Sequence, residues 1–587
     1  FVEFVVLVQK FFANPFQFIK NAPTHFKEYF GHVFPNKEKL LKGIKQTKKV
    51  QLLPLPKITK TKNNVEISAI LDDFTLRCFE SEFNLNLLSK ENFPVDLKSH
   101  SSEVLLIESS WRGNNLQWQG EIGTYFYNNE NELLRKLVKE AKEKSLPTVF
   151  WNKEDPVHYN HFVNSAKLFD YVFTTDENSV KKYIANGVKK SFALPFAAQP
   201  KLHNPVITKE RKHKTCFAGT YWREKYFERQ KQLNFLLKPS KKFGLDIYDR
   251  NFKNGSSPPQ YAFPEIYSEN LKGGVPYTEM VDIYKEYQVF LNVNSVNESP
   301  TMFSRRVFEI LASGTPIISP PNLGISNLIG DDIVLFSSSE EETKKHLERL
   351  LSDQMYWKKI SLKGIRKVHS EHTYRHRADF ILNKVGINKN PESCTEFNII
   401  CKIEGKHQLE KLIENIQTQN VSIKIVICVT EKESIDIPNS GLEVIFVKES
   451  EVENVLNVIN SKCKNDFLHF WDADNFYGTS YLLDFKLAST YSDSQIFGKS
   501  SYFNFANKNI EYVNGENEFK FCNNVHFKTL MIKENLVTLQ VLKAFFLTGE
   551  THFRDTQNRI LSLDCFNYVN NFDKQAIDDN IKNRLTV

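Results

Sequence analysis

Two adjacent arginines, Arg305 and Arg306, are followed one helical turn later by Glu309 in the stretch FSRRVFEILASGTPIIS, residues 303–319. An arginine fork matches phosphate oxygens, and a carboxylate accepts hydrogen bonds from a diol such as a ribose. The pattern reads as a loop, NESPTMFS, a helix, RRVFEILASG, closed by Gly314 as its C-terminal cap, and a buried strand, PIIS. Both arginines then fall in the first helical turn, where backbone N–H groups and the positive end of the helix dipole favour an anion. The competing explanation pairs the arginines with acids elsewhere and leaves Glu309 solvated. Residue chemistry alone keeps both open.

A second set lies in FLHFWDADNFYG, where an apolar strand emerges into Asp472, Ala473 and Asp474. Carboxylates two positions apart at a strand end share one side and suit Mg2+ or Mn2+ bridging nucleotide phosphates. Two further strand ends, LLIESSWRGNNLQW and VFWNKEDPVHYNHF, open into polar loops. The first offers Glu108, Trp111 and Asn114 to an acceptor, since an indole face stacks on sugar rings; a buried tryptophan anchoring the loop explains it equally. The second gathers Glu154, Asp155, His158 and His161. Asp155 and His158 are the candidate catalytic groups, and His161 a candidate grip on acceptor hydroxyls.

Strand and helix patterns alternate along most of the chain, which predicts an α/β fold with parallel sheets covered on both faces. VEISAIL, VLLIESS, PTVFW and LFDYVFTTD are strands of a first Rossmann-like unit, residues 63–205, with ENELLRKLVKEAKEKSL as one of its helices. A second unit, residues 206–387, runs from KTCFAGTYW through FGLDIYD, VFLNVNS and PIIS to a helical tail. A third α/β domain, residues 395–587, begins at TEFNIICKIEG and continues through IKIVICV, LEVIFV and DFLHFWD. Two Rossmann-like units in succession are expected to face each other across a cleft at the carboxyl ends of their strands.

The stretch SPTMFSRRVFEILASGTPIIS resembles the nucleotide-sugar-binding segment of GT-B glycosyltransferases, in particular the family related to the spore maturation glycosyltransferases. The resemblance extends over FAGTYWREKYFERQ, IYDRNF, FPEIY and VPYTEMVDIYKEYQVFLNVNS, most of residues 211–330. It implies a nucleotide-sugar site formed by Gly219, Tyr221, Thr301, Arg305, Arg306 and Glu309, with Gly219 letting backbone approach the diphosphate. Many retaining GT-B enzymes carry two glutamates eight positions apart; here Glu309 stands at the second and Thr301 at the first, so the stereochemistry stays open. FLHFWDADNFYGTSYLLDF resembles the metal motif of GT-A glycosyltransferases, and FFLTGETHFRDTQNRILSLDCFNYV their acceptor side. That implies a GT-A-like third domain with Mn2+ or Mg2+ on Asp472 and Asp474, His552 as a third ligand, and Glu550 as base. Thr551 stands where the second acid of the expected pair would be.

Taken with its resemblances, the sequence reads as a two-module glycosyltransferase that moves sugars from nucleotide-sugar donors, expected to be UDP-sugars, onto a glycan or lipid-linked acceptor. The resemblance implies a bacterial surface polysaccharide, teichoic acid or glycoconjugate as product, in its fullest form through alternating addition by both modules. Two alternatives stay open: one active module beside an acceptor-binding domain, or a non-catalytic glycan-binding scaffold, for which Thr301 and Thr551 speak.

The 587 residues exceed one hydrophobic core, and 41% apolar with 25% charged residues is ordinary globular composition. Eight scattered cysteines with no zinc spacing point to a reducing cytosol and no structural zinc. A net charge of +7 with no recognition motif argues against nucleic acid as partner. Residues 1–62 form an amphipathic, Phe-rich segment and a linker. Its basic cluster KGIKQTKKVQLLPLPKITKTK reads either as a solvated linker or as a contact for anionic lipid at the inner face of the cell membrane. The opening apolar run is broken by Glu3 and Lys10, so neither an export signal nor a membrane span is expected, and the location expected is the cytoplasm. A homo-oligomer is left open.

Overall fold

The computed structural model describes residues 65–123, 131–253, 255–387, 397–432, 435, 441–507, 509–513, 515–557, 559–572 and 585–587. The N-terminal segment 1–62 and its basic cluster lie outside the described residues. The chain divides into two compact units, one through Thr175 with Ser179–Ala193, the other Asp176–Asn178 with Leu194–Val587.

The first unit is built on six parallel strands, β1 (Glu66–Ile70), β2 (Asn84–Leu87), β3 (Val104–Glu108), β4 (Thr148–Asn152), β5 (Tyr171–Thr174) and β6 (Ser191–Ala193), in the order β2-β1-β3-β4-β5-β6. Strands β3 and β4 are buried at every position, as strands covered on both faces must be. The helix Glu132–Glu143 turns Leu134, Leu137, Val138 and Ala141 onto them. Strand β2, NLNL, escaped the sequence reading because asparagines interrupt its apolar pattern. Asn86 is tolerated inside because its amide donates to Ser68 Oγ and to the Asp96 carbonyl.

The second unit contains two main sheets. One repeats the parallel design with β7 (Lys212–Gly219), β8 (Leu245–Asp249), β9 (Leu271–Gly273), β10 (Tyr287–Leu291), β11 (Ile317–Ser319) and β12 (Leu335–Phe336), ordered β12-β11-β10-β7-β8-β9. Strand order reverses between β7 and β10, the position at which open sheets leave a crevice beyond their carboxyl ends. The predicted helix spans Arg306–Ala312, and Gly314 takes the left-handed φ of 74° just past it, as the cap reading required.

The other sheet is mixed. Its parallel half comprises β13 (Phe397–Lys402), β14 (Ile423–Thr430), β15 (Glu443–Lys448) and β16 (Phe467–Asp472), ordered β15-β14-β13-β16. Strand Met531–Lys533 then pairs antiparallel with β16, followed outward by Ile496–Gly498, Ile560–Ser562 and Phe521–Cys522. Here the reversal lies between β13 and β16.

Within this unit the two sheets are joined through the helix Gln354–Glu371. Arg366 forms a bidentate pair with Asp484, its Nε 2.6 Å from Oδ1 and its Nη2 2.8 Å from Oδ2, and Lys358 pairs with Glu518 at 2.6 Å. Leu362 shares a hydrophobic cluster with Phe503, Phe566, Val569 and Leu585. Segment 195–198 is held to the second unit because the Ala198 N–H donates to the His372 carbonyl, the Tyr374 N–H to that of Ala198, and Arg377 to those of Pro195 and Phe196.

Among the described residues no helix is long and apolar enough to cross a membrane. The seven described cysteines are buried thiols.

Candidate functional site

At the β7/β10 reversal the end of β7 meets the segment after β10. A Cβ placed on Gly219 would lie 3.3 Å from Arg306 Nη1, so the missing side chain lets this guanidinium reach the β7 end. Arg306 makes no ion pair among the described residues; its Nε donates to Ser304 Oγ at 3.3 Å. Burial, then Arg305 and Arg250 among its neighbours, lower its pKa. Arg229 donates to the Thr220 carbonyl next to Gly219 at 2.9 Å, and burial with Arg306 nearby brings its pKa down to about 10. Arginines that depress one another in a buried place are a setting an anion relieves.

Glu309 departs from the expected role. Its carboxylate is 1% exposed: Oε1 accepts from Arg305 Nη1 at 2.7 Å and from the Tyr277 hydroxyl at 3.0 Å, and Oε2 from the Tyr284 hydroxyl at 2.9 Å. Burial opposes its charge, but Arg305 and the two tyrosine hydroxyls hold its pKa below the ordinary range. His203 Nδ1 accepts from the Gln199 N–H at 3.0 Å, and burial lowers the ring's pKa to about 4. The ring is therefore neutral, with its proton on Nε2 facing the Tyr277 oxygen at 3.0 Å. In this arrangement Glu309 orients Arg305, and both of its oxygens already accept from the protein. The first-turn backbone also differs from expectation. The N–H groups of Val307, Phe308 and Glu309 already donate to the Ser304 and Arg305 carbonyls, so the guanidinium groups, not the helix end, supply the positive charge. Tyr221 is buried against Phe263, with ring centroids 5.3 Å apart, and belongs to the core. Thr301 Oγ1 accepts from the Glu177 N–H at 2.9 Å, both residues belonging to the second unit.

In the first unit three predicted residues turn out to fasten the fold. Glu108 is buried and accepts from Lys153 Nζ at 2.8 Å and from the Asp72 N–H. Burial, opposed by Lys153, pushes its pKa up to about 7. The Asn114 side chain accepts from the Leu71 N–H and donates to the Ala69 and Leu88 carbonyls. Asp155 is fully buried and accepts from Asn152 Nδ2 at 2.8 Å, Thr174 Oγ1 at 2.6 Å and Tyr183 OH at 2.9 Å. Most of these polar atoms are taken up by the protein itself, although Glu108 Oε2 is buried without a hydrogen-bond partner. Trp111, His158 and His161, by contrast, are brought together. The indole lies edge-on to both imidazoles, with centroids 5.3 and 5.8 Å away, and Glu154 Oε2 is 3.9 Å from His158 Nε2.

At the β13/β16 reversal Asp472 ends β16 and Asp474 follows it, and each of the four carboxylate oxygens meets an N–H or ammonium group. Asp472 Oδ1 accepts from the Asp474 N–H at 2.9 Å and Oδ2 lies 2.6 Å from Lys528 Nζ. Asp474 Oδ1 accepts from Lys411 Nζ at 3.1 Å and Oδ2 from Gln408 Nε2 at 2.8 Å. His552 is exposed, bonds Thr551 Oγ1 through Nδ1 at 2.9 Å, and pairs through its backbone with His526. Among the described residues no three His, Cys, Asp or Glu side chains are gathered as metal ligands. The donor set therefore does not fit the expected Mn2+ or Mg2+ site with His552 as third ligand. Glu550 is exposed in the turn before strand His552–Arg554.

Residues 229–383 match a protein family described as "Glycosyl transferase-like". This stretch is a glycosyltransferase domain. It includes Arg229, Arg305, Arg306 and Glu309, and through it the chain carries the enzyme class expected from SPTMFSRRVFEILASG. No curated protein matches the chain. Among solved structures, T4 phage BGT in complex with UDP and Mn2+ aligns at 12% identity over 55% of this chain and 99% of that one, TM-score 0.36. Anabaena HepE in complex with UDP and glucose aligns at 10% identity over 55% and 91%, TM-score 0.35. Sucrose-phosphate synthase from Thermosynechococcus elongatus aligns at 12% over 51% and 76%, TM-score 0.34. Likeness at these scores carries no functional argument for this chain.

Sequence reasoning missed Lys153, His203, Tyr277, Tyr284, Lys411 and Lys528. Only tertiary contact reveals what each of them bonds to, although Lys153, Tyr277 and Tyr284 lie inside stretches the sequence had singled out.

Proposed function

We propose that the glycosyltransferase domain transfers a sugar from a nucleoside diphosphate donor, with Arg306 and the Gly219 turn taking the diphosphate. The single observation behind this reading is the approach of Arg306 Nη1 to Gly219 at a strand-order reversal, with Arg229 beside it. An acceptor oxygen bonds to the anomeric carbon, the bond from that carbon to the phosphate oxygen breaks, and Arg306 neutralises the charge that develops on the leaving diphosphate. Glu309 acts by holding Arg305 in place. We take the donor to be a UDP-sugar and the acceptor a surface glycan, as the sequence resemblance implies. In the first unit, Trp111, His158 and His161, with Glu154 beside them, are taken as an acceptor-binding cluster in its own right.

The test is release of nucleoside diphosphate from UDP-, GDP- and CDP-sugars by the whole chain and by Arg306→Ala. Release from one donor class, lost in the variant, supports the reading. Release unaffected by the variant sinks it.

A second reading makes the third domain a further, GT-A-like transferase. It is favoured by the position of Asp472 at the end of β16, beside the β13/β16 reversal. Its mark would be a second donor whose turnover disappears in Asp472→Asn with Asp474→Asn.

A further inference from the structure

We propose that Lys411 and Lys528 take the place of a divalent cation at Asp472 and Asp474, so that this strand end is closed to metal ions. The charges balance within the cluster, two carboxylates against two ammonium groups, and no carboxylate oxygen lacks a donor. The seat of Lys528 is built into the fold. Its carbonyl accepts from the Tyr477 hydroxyl at 3.0 Å, and the same hydroxyl oxygen accepts from the Asp472 N–H at 3.0 Å. Tyr477 is itself buried and stacked on Trp471, centroids 4.0 Å apart with 1° between the ring planes. One buried phenol thus ties the backbone of Lys528 to the backbone of the aspartate its ammonium group meets. On the other side, Gln408 and Lys411 lie one turn apart on the helix Lys406–Gln417 and grip both oxygens of Asp474. Lys402, the neighbour of Asp472 in the β13–β16 register, is held by Glu449 at 2.6 Å and adds no vacant carboxylate.

A divalent ion entering here must displace two ammonium groups and then stand beside them, with two aspartates and, among the described residues, no third side-chain ligand to compensate. An anionic ligand reaching this strand end meets lysine cations instead of a metal. The donor site of the second sheet plays no part in this inference.

The test is Mn2+ titration of the whole chain at neutral pH, followed by the electron paramagnetic resonance signal of free Mn2+. Three proteins are compared: the unaltered chain, Asp472→Asn with Asp474→Asn, and Lys411→Met with Lys528→Met. The unaltered chain and the asparagine variant are expected to bind equal numbers of ions, and the methionine variant one more. One additional ion on the unaltered chain relative to the asparagine variant overturns the proposal. So does a folded methionine variant that gains none, since the lysines would then not be what closes the site. Lys411 and Lys528 are 42% and 31% exposed, so their replacement leaves the core untouched. Should that variant nevertheless fail to fold, the first comparison decides alone.

Discussion

The β7/β10 and β13/β16 reversals occupy the same topological position in two sheets of one unit, and each carries a charged motif legible in the sequence. Their electrostatics differ. At β7/β10 Arg229, Arg305 and Arg306 gather, Glu309 is committed to Arg305 and Asp249, opposite Gly219, to the Asn251 N–H and the Ser257 hydroxyl, and Arg306 has no ion-pair partner among the described residues. At β13/β16 two acids meet two lysines and the charges cancel. A motif states which charges stand at a strand end. Whether they are already answered depends on residues far away in sequence, and that decides which end can take a charged ligand.

Acid tests whether the two ends share one stability. His203, His369 and His372 have pKa values lowered by burial to about 4, and His469 and His526 to about 3. Their folded values lie below the unfolded value near 6.5, so the unfolded chain binds more protons and stability falls as pH drops from about 6.5 towards 4. Each contributes a slope of about 1.4 kcal/mol per pH unit in that window. Thermal melts between pH 7 and 4.5 should show both sheets of the second unit losing structure together. A melt in which the β13–β16 sheet outlasts the β7–β12 sheet would break the comparison.

Arg306→Ala should lower kcat/KM for sugar transfer by about a hundredfold to a thousandfold, the cost of losing one preorganised charge at a developing anion. The pair Asp472→Asn and Asp474→Asn should leave the same transfer within about twofold, because those carboxylates already answer lysines. Steady-state kinetics on both variants reads the contrast directly.

The seam sharpens it differently. Arg366→Ala leaves Asp484 buried without its partner and should destabilise the second unit by about 3 kcal/mol, measured as a shift in the urea midpoint. An unchanged midpoint would mean that the two sheets do not depend on this pair.

The smallest effect is expected for Tyr277→Phe, which removes one donor to Glu309 while Arg305 and Tyr284 remain. It should cost about 1 kcal/mol and leave the fold intact, as seen by a small drop in Tm.

Much of this architecture was legible. The parallel sheets announced themselves through runs such as VLLIE and TVFWN, whose burial on both faces leaves no alternation to misread. Gly314 marked the end of its helix because only a residue tolerant of positive φ fits there. Strand β2 and the short antiparallel strands after β16 were not legible, since two to four residues carry too little periodicity. At the sites, residue type singled out Gly219 at the end of β7, Trp111 and His158 in the loops after β3 and β4, and Arg306 at the start of its helix. It could not show how Glu108, Asn114 and Asp155 are bonded, because a polar side chain that fastens a loop from inside has the same letter as one that faces a substrate. It failed also for the metal set, where Lys411 and Lys528 lie more than fifty residues from one or both of the aspartates they answer.

The central claim is that the arginine end, and not the aspartate end, holds the donor diphosphate. Release of UDP from a UDP-sugar in the presence of EDTA measures it most directly, for the unaltered chain, Arg306→Ala, and Asp472→Asn with Asp474→Asn. The account predicts release that resists EDTA, persists in the asparagine variant and is lost with Arg306. Release that EDTA or the asparagine changes abolish while Arg306→Ala retains it would contradict the account.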